Sequence, residues 1–551
     1  MKKLLLLLLL CITAKNYAQD LQWEKSFGGQ HADYLMDAIP TADYGFILAG
    51  SSLSDKTGNK TEASKGNYDY WLWKITENGA VEWQKSFGGA GNDMLYSVEN
   101  TVDGGYILAG TSNSPKRFDK TDNNIGQQDI WIIKLDAAGN MLWQKTLGGL
   151  ADEQLTAISQ TKDGGFIIGA SSESDIYKAK KTENNQNSIY KDTDCRGNMD
   201  YWILKLNKKG ELEWQKTLGG NYLDQLRSLT QTQDGGYFVG GVSNSDAGND
   251  KTEKNFGNND FWFMKLDAKG AIQWQQTYGS DGDDQLYTVL QTADKGFMIA
   301  GNSNSAKTPG NNSPDGSDFL ILKLDETGNK IFEKVYNIGS DDILTNLVKN
   351  KDESLLICGY SRGSSSLRGG TTKQSHNEGV EEYAVIKIDQ NGEELWRKNI
   401  GKEGKNVLNK AIETRDGGYV LAGTNISNPS LQLTPSLRGG TTKQSLDGSG
   451  GADFYIVKFK DRNKTEVVKT MIEALPNPAT TYTNIIIGYE YTSGTASLYD
   501  LGGRLLNSFD ITSRTVPIDL TSLPEGIYIV NIETNNGKDG IKVIKQGINK
   551  N

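Results

Sequence analysis

Short apolar runs of about seven residues recur along most of the chain, and glycine-containing polar turns separate them. Residues 106–110 (YILAG) form one such run, and Asp-Gly-Gly comes directly before it at 103–105. Runs of this length bounded by turn residues are typical of strands. Asp-Gly between two of them indicates a hairpin, because glycine supplies the positive φ that tight turns need. The pattern predicts an all-β protein built from short antiparallel strands.

The strand pattern repeats about every 60 residues. Each unit begins with a marker aromatic in Trp-x-Lys, an apolar residue and Gly-Gly, and an acidic residue then opens a strand. Asp-Gly-Gly and a second strand follow, then a long polar loop, an Asp-aromatic-Trp strand and an Asp-x-x-Gly turn. The marker aromatics are Trp23, Trp83, Trp143, Trp214, Trp274, Phe332 and Trp396. Repeated four-stranded units build β-propellers, and we expect these aromatics to fill the space between neighbouring sheets.

The number of repeats predicts seven blades. The tight turn recurs near residues 43, 103, 163, 234, 294, 352 and 416. The last repeat lacks its own Trp-x-Lys strand, whereas residues 21–25 (LQWEK) stand ahead of the first repeat. We therefore predict a seven-bladed β-propeller over residues 20–460, with the N-terminal strand closing the last blade.

The first 19 residues have the pattern of a signal peptide. Lys2 and Lys3 precede an apolar stretch at 4–12, and residues 17–19 (YAQ) form a cleavage region. A lipoprotein site at Cys11 is the weaker alternative, because that cysteine lies inside the apolar stretch. The stretch is too short to span a bilayer, and no later stretch could do so. The sequence predicts an exported protein with no transmembrane segment.

The repeat stops after residue 460, and a polar linker at 461–471 leads into a different composition. Residues 475–479 (LPNPA), 496–505 (ASLYDLGGRL), 523–530 (LPEGIYIV) and 542–545 (KVIK) follow in order. With these pieces, residues 472–551 resemble the type A sorting domain of the type IX secretion system. The motif residues are Pro476, Asn477, Pro478, Gly502, Gly526, Tyr528 and Lys542. The alternating strands also indicate, without the family, a small Ig-like β-sandwich, so an ordinary accessory domain is the alternative.

The resemblance implies export through the type IX secretion machinery to the cell surface or the medium. It also implies removal of the sorting domain and, commonly, attachment to surface lipopolysaccharide. Residues 21–460 resemble the tandem propeller repeats of secreted proteins from Bacteroidetes. That second resemblance implies a fold and no activity.

Charge and composition exclude several classes of function. The net charge of −10 would repel a phosphate backbone, so nucleic acid is not an expected partner. The chain has only two histidines, His31 and His376, which leaves almost no material for a catalytic triad or a His-rich zinc site. Beyond the signal peptide there are two cysteines, Cys195 and Cys358, in different repeats, and we do not expect them to pair.

A candidate site lies ten residues after each marker aromatic, where a polar residue opens the innermost strand. These residues are Asp33, Asp93, Glu153, Asp224, Asp284, Asp342 and Asn406. Together they could ring one mouth of the central channel and hold Ca²⁺, which prefers several oxygen ligands. The favoured alternative is that each one accepts hydrogen bonds from its own turn or pairs with a nearby lysine.

These features favour a secreted binding or adhesion module with an extracellular glycan or protein ligand. One alternative is an enzyme acting on extracellular polysaccharide or glycoconjugate, since propellers host such chemistry in other families. Another is a scaffold that holds other secreted proteins, which the sequence does not separate from a binding module. We expect no enzyme, because the acidic residues are spread evenly and no catalytic pair stands out. One decapeptide, SLRGGTTKQS, occurs identically at 366–375 and 436–445. It is interpreted as an insertion that a surface loop tolerates.

Overall fold

A computed structural model describes residues 20–177, 187–304, 316–362, 381–427, 451–461 and 471–547. Every regular element within these ranges is a β-strand, which confirms the prediction of an all-β protein. In this part of the chain, no helix has the length and apolar character needed to cross a membrane. The predicted signal peptide, most of the linker and both copies of the decapeptide lie outside the described residues.

Most of the strands form antiparallel four-stranded units in which each strand pairs with the next along the chain. Unit 1 contains β2 (Asp33–Pro40), β3 (Phe46–Ser52), β4 (Asp69–Ile75) and β5 (Val81–Phe87). Unit 2 contains β6 (Asp93–Asn100), β7 (Tyr106–Ser112), β8 (Asp129–Leu135) and β9 (Met141–Gly148). Unit 3 contains β10 (Glu153–Gln160), β11 (Phe166–Ser172), β13 (Asp200–Leu206) and β14 (Leu212–Leu218). Unit 4 contains β15 (Asp224–Gln231), β16 (Tyr237–Ser243), β17 (Asp260–Leu266) and β18 (Ile272–Tyr278).

The next three units follow the same strand order, and the last one ends on the first strand of the chain. Unit 5 contains β19 (Asp284–Gln291), β20 (Phe297–Ser303), β21 (Asp318–Leu324) and β22 (Lys330–Tyr336). Unit 6 contains β23 (Asp341–Lys349), β24 (Leu355–Arg362), β25 (Glu381–Ile388) and β26 (Glu394–Ile400). Unit 7 contains β27 (Lys405–Glu413), β28 (Gly418–Ile426), β29 (Ala452–Lys460) and, antiparallel to β29, β1 (Asp20–Phe27). A single parallel bridge from Glu381 to Lys405 joins the sheets of units 6 and 7.

One strand was not expected from the repeat. The interval between the third and fourth marker aromatics is 11 residues longer than the interval before it, and it contains β12 (Ser188–Tyr190). This strand pairs in parallel with β9 of unit 2, so it extends the sheet of the preceding unit. The inserted residues thus cover a strand edge that would otherwise have an unpaired backbone.

The first strands of the units form a closed circuit of contacts. In chain order, β2, β6, β10, β15, β19, β23 and β27 each contact the next one, and β27 contacts β2. Apolar side chains from neighbouring sheets pack between the units, as where Leu72 of unit 1 meets Leu108 of unit 2. The core is therefore divided into a series of clusters, each buried between two sheets.

The marker aromatics lie between neighbouring sheets, as expected. Trp83 on β5 packs edge to face against Tyr106 at the start of β7, with 6.1 Å between the ring centroids. The same T-shaped arrangement joins Trp396 to Tyr419 at 5.9 Å. Large aromatic pairs of this geometry bury much apolar area and stabilise the contact between sheets.

Each tight turn between the first and second strands carries an ion pair whose lysine is buried. In unit 1 the Nζ of Lys74 lies 2.9 Å from a carboxylate oxygen of Asp43, and both side chains are 3% exposed. In unit 7 Lys458 and Asp416 are paired in the same way at 2.6 Å. The equivalent pairs are Lys134–Asp103, Lys205–Asp163, Lys265–Asp234, Lys323–Asp294 and Lys387–Asp352. The Asp of the turn motif is therefore the partner of a lysine on the third strand.

The C-terminal residues form two further sheets. One contains β30 (Ile472–Leu475), β31 (Tyr482–Ile487) and β34 (Thr515–Asp519). The other contains β32 (Gly494–Asp500), β33 (Leu505–Ile511), β35 (Gly526–Thr534) and β36 (Gly537–Lys545). Both sheets contribute to one apolar core, which includes Ile485, Val516 and Val530.

Candidate binding site at the inner strands

The seven residues of the predicted acidic ring lie at equivalent places, at or next to the start of the first strand of each unit. All seven are buried, with 0 or 1% of each residue exposed. The structure therefore places them at the same end of neighbouring strands, below the surface of the protein.

Each ring residue is held by its own loop. The backbone N–H of Gly29 donates to the carboxylate of Asp33 at 2.6 Å, and the Ser54 hydroxyl donates to the same oxygen at 3.0 Å. In unit 2 the backbone N–H of Gly89 and the hydroxyl of Ser114 donate to the carboxylate of Asp93 at 2.6 and 2.9 Å. Carboxylates that accept backbone N–H groups in this way fix the conformation of a turn.

Asn406 takes this place in the seventh unit, and its side-chain amide both donates and accepts hydrogen bonds. Its amide nitrogen donates to the carbonyl oxygens of Lys402 at 2.8 Å and Glu381 at 2.9 Å. Its amide oxygen accepts a hydrogen bond from Asn425 at 2.9 Å. A neutral amide is thus accommodated where the other units have a carboxyl group.

Close packing around these carboxyl groups explains the Gly-Gly motif. A Cβ on Gly88 would lie 1.9 Å from a carboxylate oxygen of Asp69, and a Cβ on Gly89 would lie 2.4 Å from the Cβ of Ser114. No side chain fits at either distance. The motif is therefore required because two buried polar side chains press against the loop backbone.

A second buried carboxyl group lies on the third strand of most units. Asp69 is fully buried at the start of β4 and accepts the backbone N–H of Lys65 at 2.8 Å. Its counterparts are Asp129, Asp200, Asp260 and Asp318, all 0 or 1% exposed. The third-strand carboxyl of one unit lies near the first-strand carboxyl of the next. Burial raises the pKa of Asp69, and the charge of Asp93 adds to that rise.

Burial shifts the pKa of these groups upward. Loss of hydration raises the pKa of Asp33 to about 6, although hydrogen bonds from Ser52 and Gly29 oppose the shift. Burial likewise raises the pKa values of Asp69 and Asp200 to about 6. Burial is also the main cause of the raised pKa values of Asp93, Asp224 and Asp342.

Lysines from the long loops are buried beside the carboxyl groups of their own units. Lys60 is 2% exposed, and its Nζ donates to the hydroxyl of Ser52 at 3.0 Å and to the carbonyl of Ser54 at 2.8 Å. Burial raises the pKa values of Asp33 and Asp69, and the charge of Lys60 offsets part of that rise. Lys120, Lys191 and Lys251 are the buried lysines of the next three units.

Within the described residues, no group of three or more His, Cys, Asp or Glu side chains is arranged to hold a metal ion. The ring carboxylates instead accept hydrogen bonds from backbone and serine donors. The structure offers no calcium site assembled from the ring, and calcium binding there stays a prediction.

A second ring of residues was missed by the sequence analysis. Each first strand contains a β-bulge three residues after its ring residue, where one residue has no partner on the second strand. The bulge residues are Met36, Tyr96, Thr156, Arg227, Tyr287, Thr345 and Asn409. Met36 is buried, whereas the other six are half-buried and keep part of their surface accessible.

The bulge side chains reach from one unit to the next. The Thr156 hydroxyl donates to the carbonyl of Leu226 at 2.8 Å, and the Asn409 amide donates to the carbonyl of Leu35 at 2.5 Å. The Arg227 guanidinium lies 5.8 Å from the centre of the Tyr287 ring. These side chains therefore link the first strands of neighbouring units.

A small recess of about 20 Å³ lies among the first strands of units 2, 3 and 4, lined in part by Tyr96, Thr156 and Arg227. The recess shows that the bulge positions of adjacent units share one surface. A sequence signal for them existed, since the residue three positions after the ring residue differs from unit to unit. A residue type that the fold requires recurs in every unit. A position whose residue type differs between units can instead be used for binding.

The sorting-motif residues have structural roles in the C-terminal sheets. The Asn477 amide donates to the carbonyl of Lys542 at 2.8 Å and accepts the N–H of Ile544 at 2.9 Å. The buried Tyr528 donates its hydroxyl to the carbonyl of Pro524 at 2.7 Å. Pro476 and Pro478 flank Asn477, Gly502 lies in the β32–β33 turn, and Gly526 opens β35.

The C-terminal sheets rest on the tight turns of units 1, 2 and 7. Arg514 donates to the carbonyl of Asp43 at 2.6 Å and lies 3.6 Å from the carboxylate of Glu82. Arg415, in the turn of unit 7, pairs with Glu473 at 2.6 Å. The sorting region thus covers part of the end of the units opposite the Gly-Gly loops.

Comparisons with known proteins identify the C-terminal region. Residues 474–546 match the family model of the secretion system C-terminal sorting domain. This domain directs export by type IX secretion, so the protein is sent to the cell surface or the extracellular space and interacts with that secretion machinery. The localisation predicted from the sequence is confirmed.

The chain as a whole has more distant similarities. It is 22% identical over 502 residues to the regulatory protein FlaEY of Caulobacter vibrioides, and the match covers 87% of this chain and 45% of that protein. The chain thus spans less than half the length of this curated relative. A fungal alcohol oxidase of the AA5 family in complex with copper shares 10% identity and a TM-score of 0.41, with 96% of this chain and 99% of that chain covered. The phage phi92 endosialidase shares 10% identity and a TM-score of 0.40, with 97% and 89% covered.

Proposed function

We propose that the secreted protein is a non-enzymatic binding module: a closed seven-bladed β-propeller followed by an Ig-like sorting domain. The circuit of contacts among the first strands supports a closed ring, and the pairing of β1 with β29 supports closure by the N-terminal strand. In this arrangement the bulge residues surround the axis of the propeller.

We propose that the ligand binds to these bulge residues. The single observation that supports this site is that the residue type at the bulge varies between units. Three units carry Tyr96, Arg227 and Tyr287, which combine flat ring faces with a charged donor. Thr156 and Asn409 add hydroxyl and amide groups. Pockets that bind small ligands combine aromatic surface with a few placed polar groups in this way, and an extracellular glycan presents matching hydroxyls and apolar ring faces.

The ring carboxyl groups have a structural role in this proposal. They repeat in nearly every unit, are buried, and accept hydrogen bonds from their own loops. A ligand would have to displace the Gly-Gly loop to reach them. Binding should therefore not require calcium.

A glycan array probed with the chain from residue 20 to 551 tests this function. We expect binding to a restricted set of glycans, and equal binding in calcium and in EDTA. The substitutions Tyr96→Ala and Tyr287→Ala together should abolish it, because both ring faces are lost. Tyr499→Ala is the matched control, since Tyr499 is also half-buried but lies on β32 of the sorting domain.

Two results would contradict the proposal. Binding that survives the double tyrosine substitution would place the ligand elsewhere. Release of shortened glycan from the array would show an enzyme, and the substitutions would then be tested for loss of cleavage instead.

A further inference from the structure

At five of the interfaces between neighbouring units, two aromatic side chains at equivalent positions pack against each other. The marker tryptophan on the fourth strand of one unit meets an aromatic residue that begins the second strand of the next. Centroid distances are 5.7 to 6.1 Å, and interplanar angles are 64 to 72°. The pairs are Trp83–Tyr106, Trp143–Phe166, Trp214–Tyr237, Trp274–Phe297 and Trp396–Tyr419.

The interface between units 5 and 6 departs from this rule on both sides. Phe332 stands opposite Lys323 in the β21–β22 pairing, as Trp274 stands opposite Lys265 in the unit before. Leu355 pairs with Ile388 at the start of β24, as Phe297 pairs with Leu324 at the start of β20. A phenyl ring thus replaces an indole, and an aliphatic side chain replaces an aromatic one.

A cavity of about 180 Å³ lies at this interface. Met298, Phe332 and Leu355 supply apolar lining, and Met298 and Leu355 are 1 and 2% exposed. Ile331 contributes further apolar surface at the rim. Thr292, Gln390 and Asn391 add uncharged polar lining. An apolar cavity of roughly 150 Å³ in another protein binds benzene. The volume here therefore suits one or two aromatic rings.

The charged groups that line the cavity already have partners. The Nζ of Lys323 lies 2.8 Å from the carboxylate of Asp294, and Lys349 pairs with Glu353 at 3.0 Å. An apolar ring can enter without separating either ion pair, so its burial is not opposed by desolvation of an unpaired charge.

We propose that the cavity between units 5 and 6 binds a small aromatic molecule of one or two fused rings. The ring occupies the space that the indole and its aromatic partner fill in the five equivalent interfaces. This site is separate from the bulge residues and would make the protein a carrier or sensor of an aryl compound.

Titration of the chain without its predicted signal peptide (residues 20–551) with 5-fluoroindole, followed by fluorine NMR, tests the proposal. We expect saturable binding with one site per chain. The double substitution Phe332→Trp and Leu355→Tyr restores the residues of the other interfaces and fills the cavity. It should weaken binding by at least about tenfold, which corresponds to 1.4 kcal/mol, while the melting temperature stays the same or rises.

A gain-of-site variant keeps the proposal testable if the double variant fails to fold. Trp274→Phe with Phe297→Leu gives the interface of units 4 and 5 the residues found between units 5 and 6. We expect a second site, so that two molecules bind per chain. Phe332→Trp alone is a milder test of the original site and should also weaken binding.

Absence of saturable binding to the unmodified chain would overturn the proposal, because the cavity would then be only a packing defect. Binding that is unchanged by Phe332→Trp would overturn it as well, since the ligand would lie elsewhere.

Discussion

Buried carboxyl groups are the most unusual feature of the protein at the scale of single residues. A charged carboxylate in an apolar interior is costly unless it is paired or hydrogen-bonded. Here the Gly-Gly loops supply backbone donors and the long loops supply buried lysines such as Lys60. The same position is filled by the neutral amide of Asn406, which indicates that hydrogen bonding to the loop, and not charge, is the shared requirement.

The raised pKa values predict a pH dependence of stability. The pKa values of Asp33, Asp69, Asp200, Asp260 and Asp318 are raised to about 6 by burial, against about 3.9 in an unfolded chain. Between these two values the folded state binds more protons, so the free energy of unfolding falls as pH rises from about 4 to about 6.

Calorimetry at several pH values checks this expectation. The melting temperature should be higher at about pH 5 than at about pH 7. Burial favours higher pKa values for Asp234 and Asp352, but hydrogen bonds and ion pairs with lysine lower both to about 2. The stability that these two groups contribute is therefore lost only when the pH falls below about 4. A melting temperature that does not fall between pH 5 and pH 7 would contradict the argument.

Substitution of one ring residue separates charge from hydrogen bonding. Asp33→Asn removes the titrating group but can still accept from Gly29 and Ser54, so it should fold and show a weaker pH dependence between pH 5 and 7. Asp33→Ala leaves the Gly29 N–H without its acceptor and should cost about 1–3 kcal/mol. Urea unfolding of both variants measures the difference. Equal stability of the two would show that the hydrogen bonds do not matter.

At the scale of elements, the first strand of the chain completes the last unit. Phe27 at the end of β1 is 6% exposed, and its ring lies 4.5 Å from that of Trp73 in unit 1. Leu21 near the start of the same strand is 55% exposed. The strand thus joins two units that are at opposite ends of the sequence.

The contribution of this junction can be measured with a matched pair of substitutions. Phe27→Ala should lower the free energy of unfolding by about 3–5 kcal/mol, because it leaves a cavity between the two units. Leu21→Ala on the same strand should change it by less than about 0.5 kcal/mol. Urea unfolding distinguishes them, and similar values for both would mean that β1 does not close the junction.

At the scale of the whole molecule, the sorting region and the tight turns of units 1, 2 and 7 form one interface. Arg514 is its central contact, because it reaches both the Asp43 carbonyl and the Glu82 carboxylate. None of these contact residues lines the recess at the bulges or the cavity between units 5 and 6.

Hydrogen exchange tests the docked arrangement. Arg514→Ala should increase amide exchange in the turn at residues 41–45, since the turn loses its cover. Arg504→Ala is the control, because Arg504 is 78% exposed and pairs only within its own hairpin, with Asp500. Unchanged exchange in the Arg514 variant would show that the two regions do not depend on this contact.

The sequence predicted local elements but missed contacts between residues that are distant along the chain. The strands, the hairpin turns and the sorting domain were predictable because they depend on local patterns: apolar runs, Asp-Gly turns and a motif order. The pairing of Lys74 with Asp43 was missed, although both residues recur in every unit, because they lie 31 positions apart and only the sheet brings them together.

The chain by itself determined the repeat, the strand order and the export address, because short-range patterning specifies strands and turns and a linear motif specifies sorting. Tertiary structure alone decided the rest. It buried the acidic residues beside the Gly-Gly loops, brought bulge side chains into contact with neighbouring units and left a cavity where Phe332 and Leu355 replace a tryptophan and a second aromatic residue. These outcomes depend on which side chains meet across units, and packing between distant segments is not written in any single stretch of sequence.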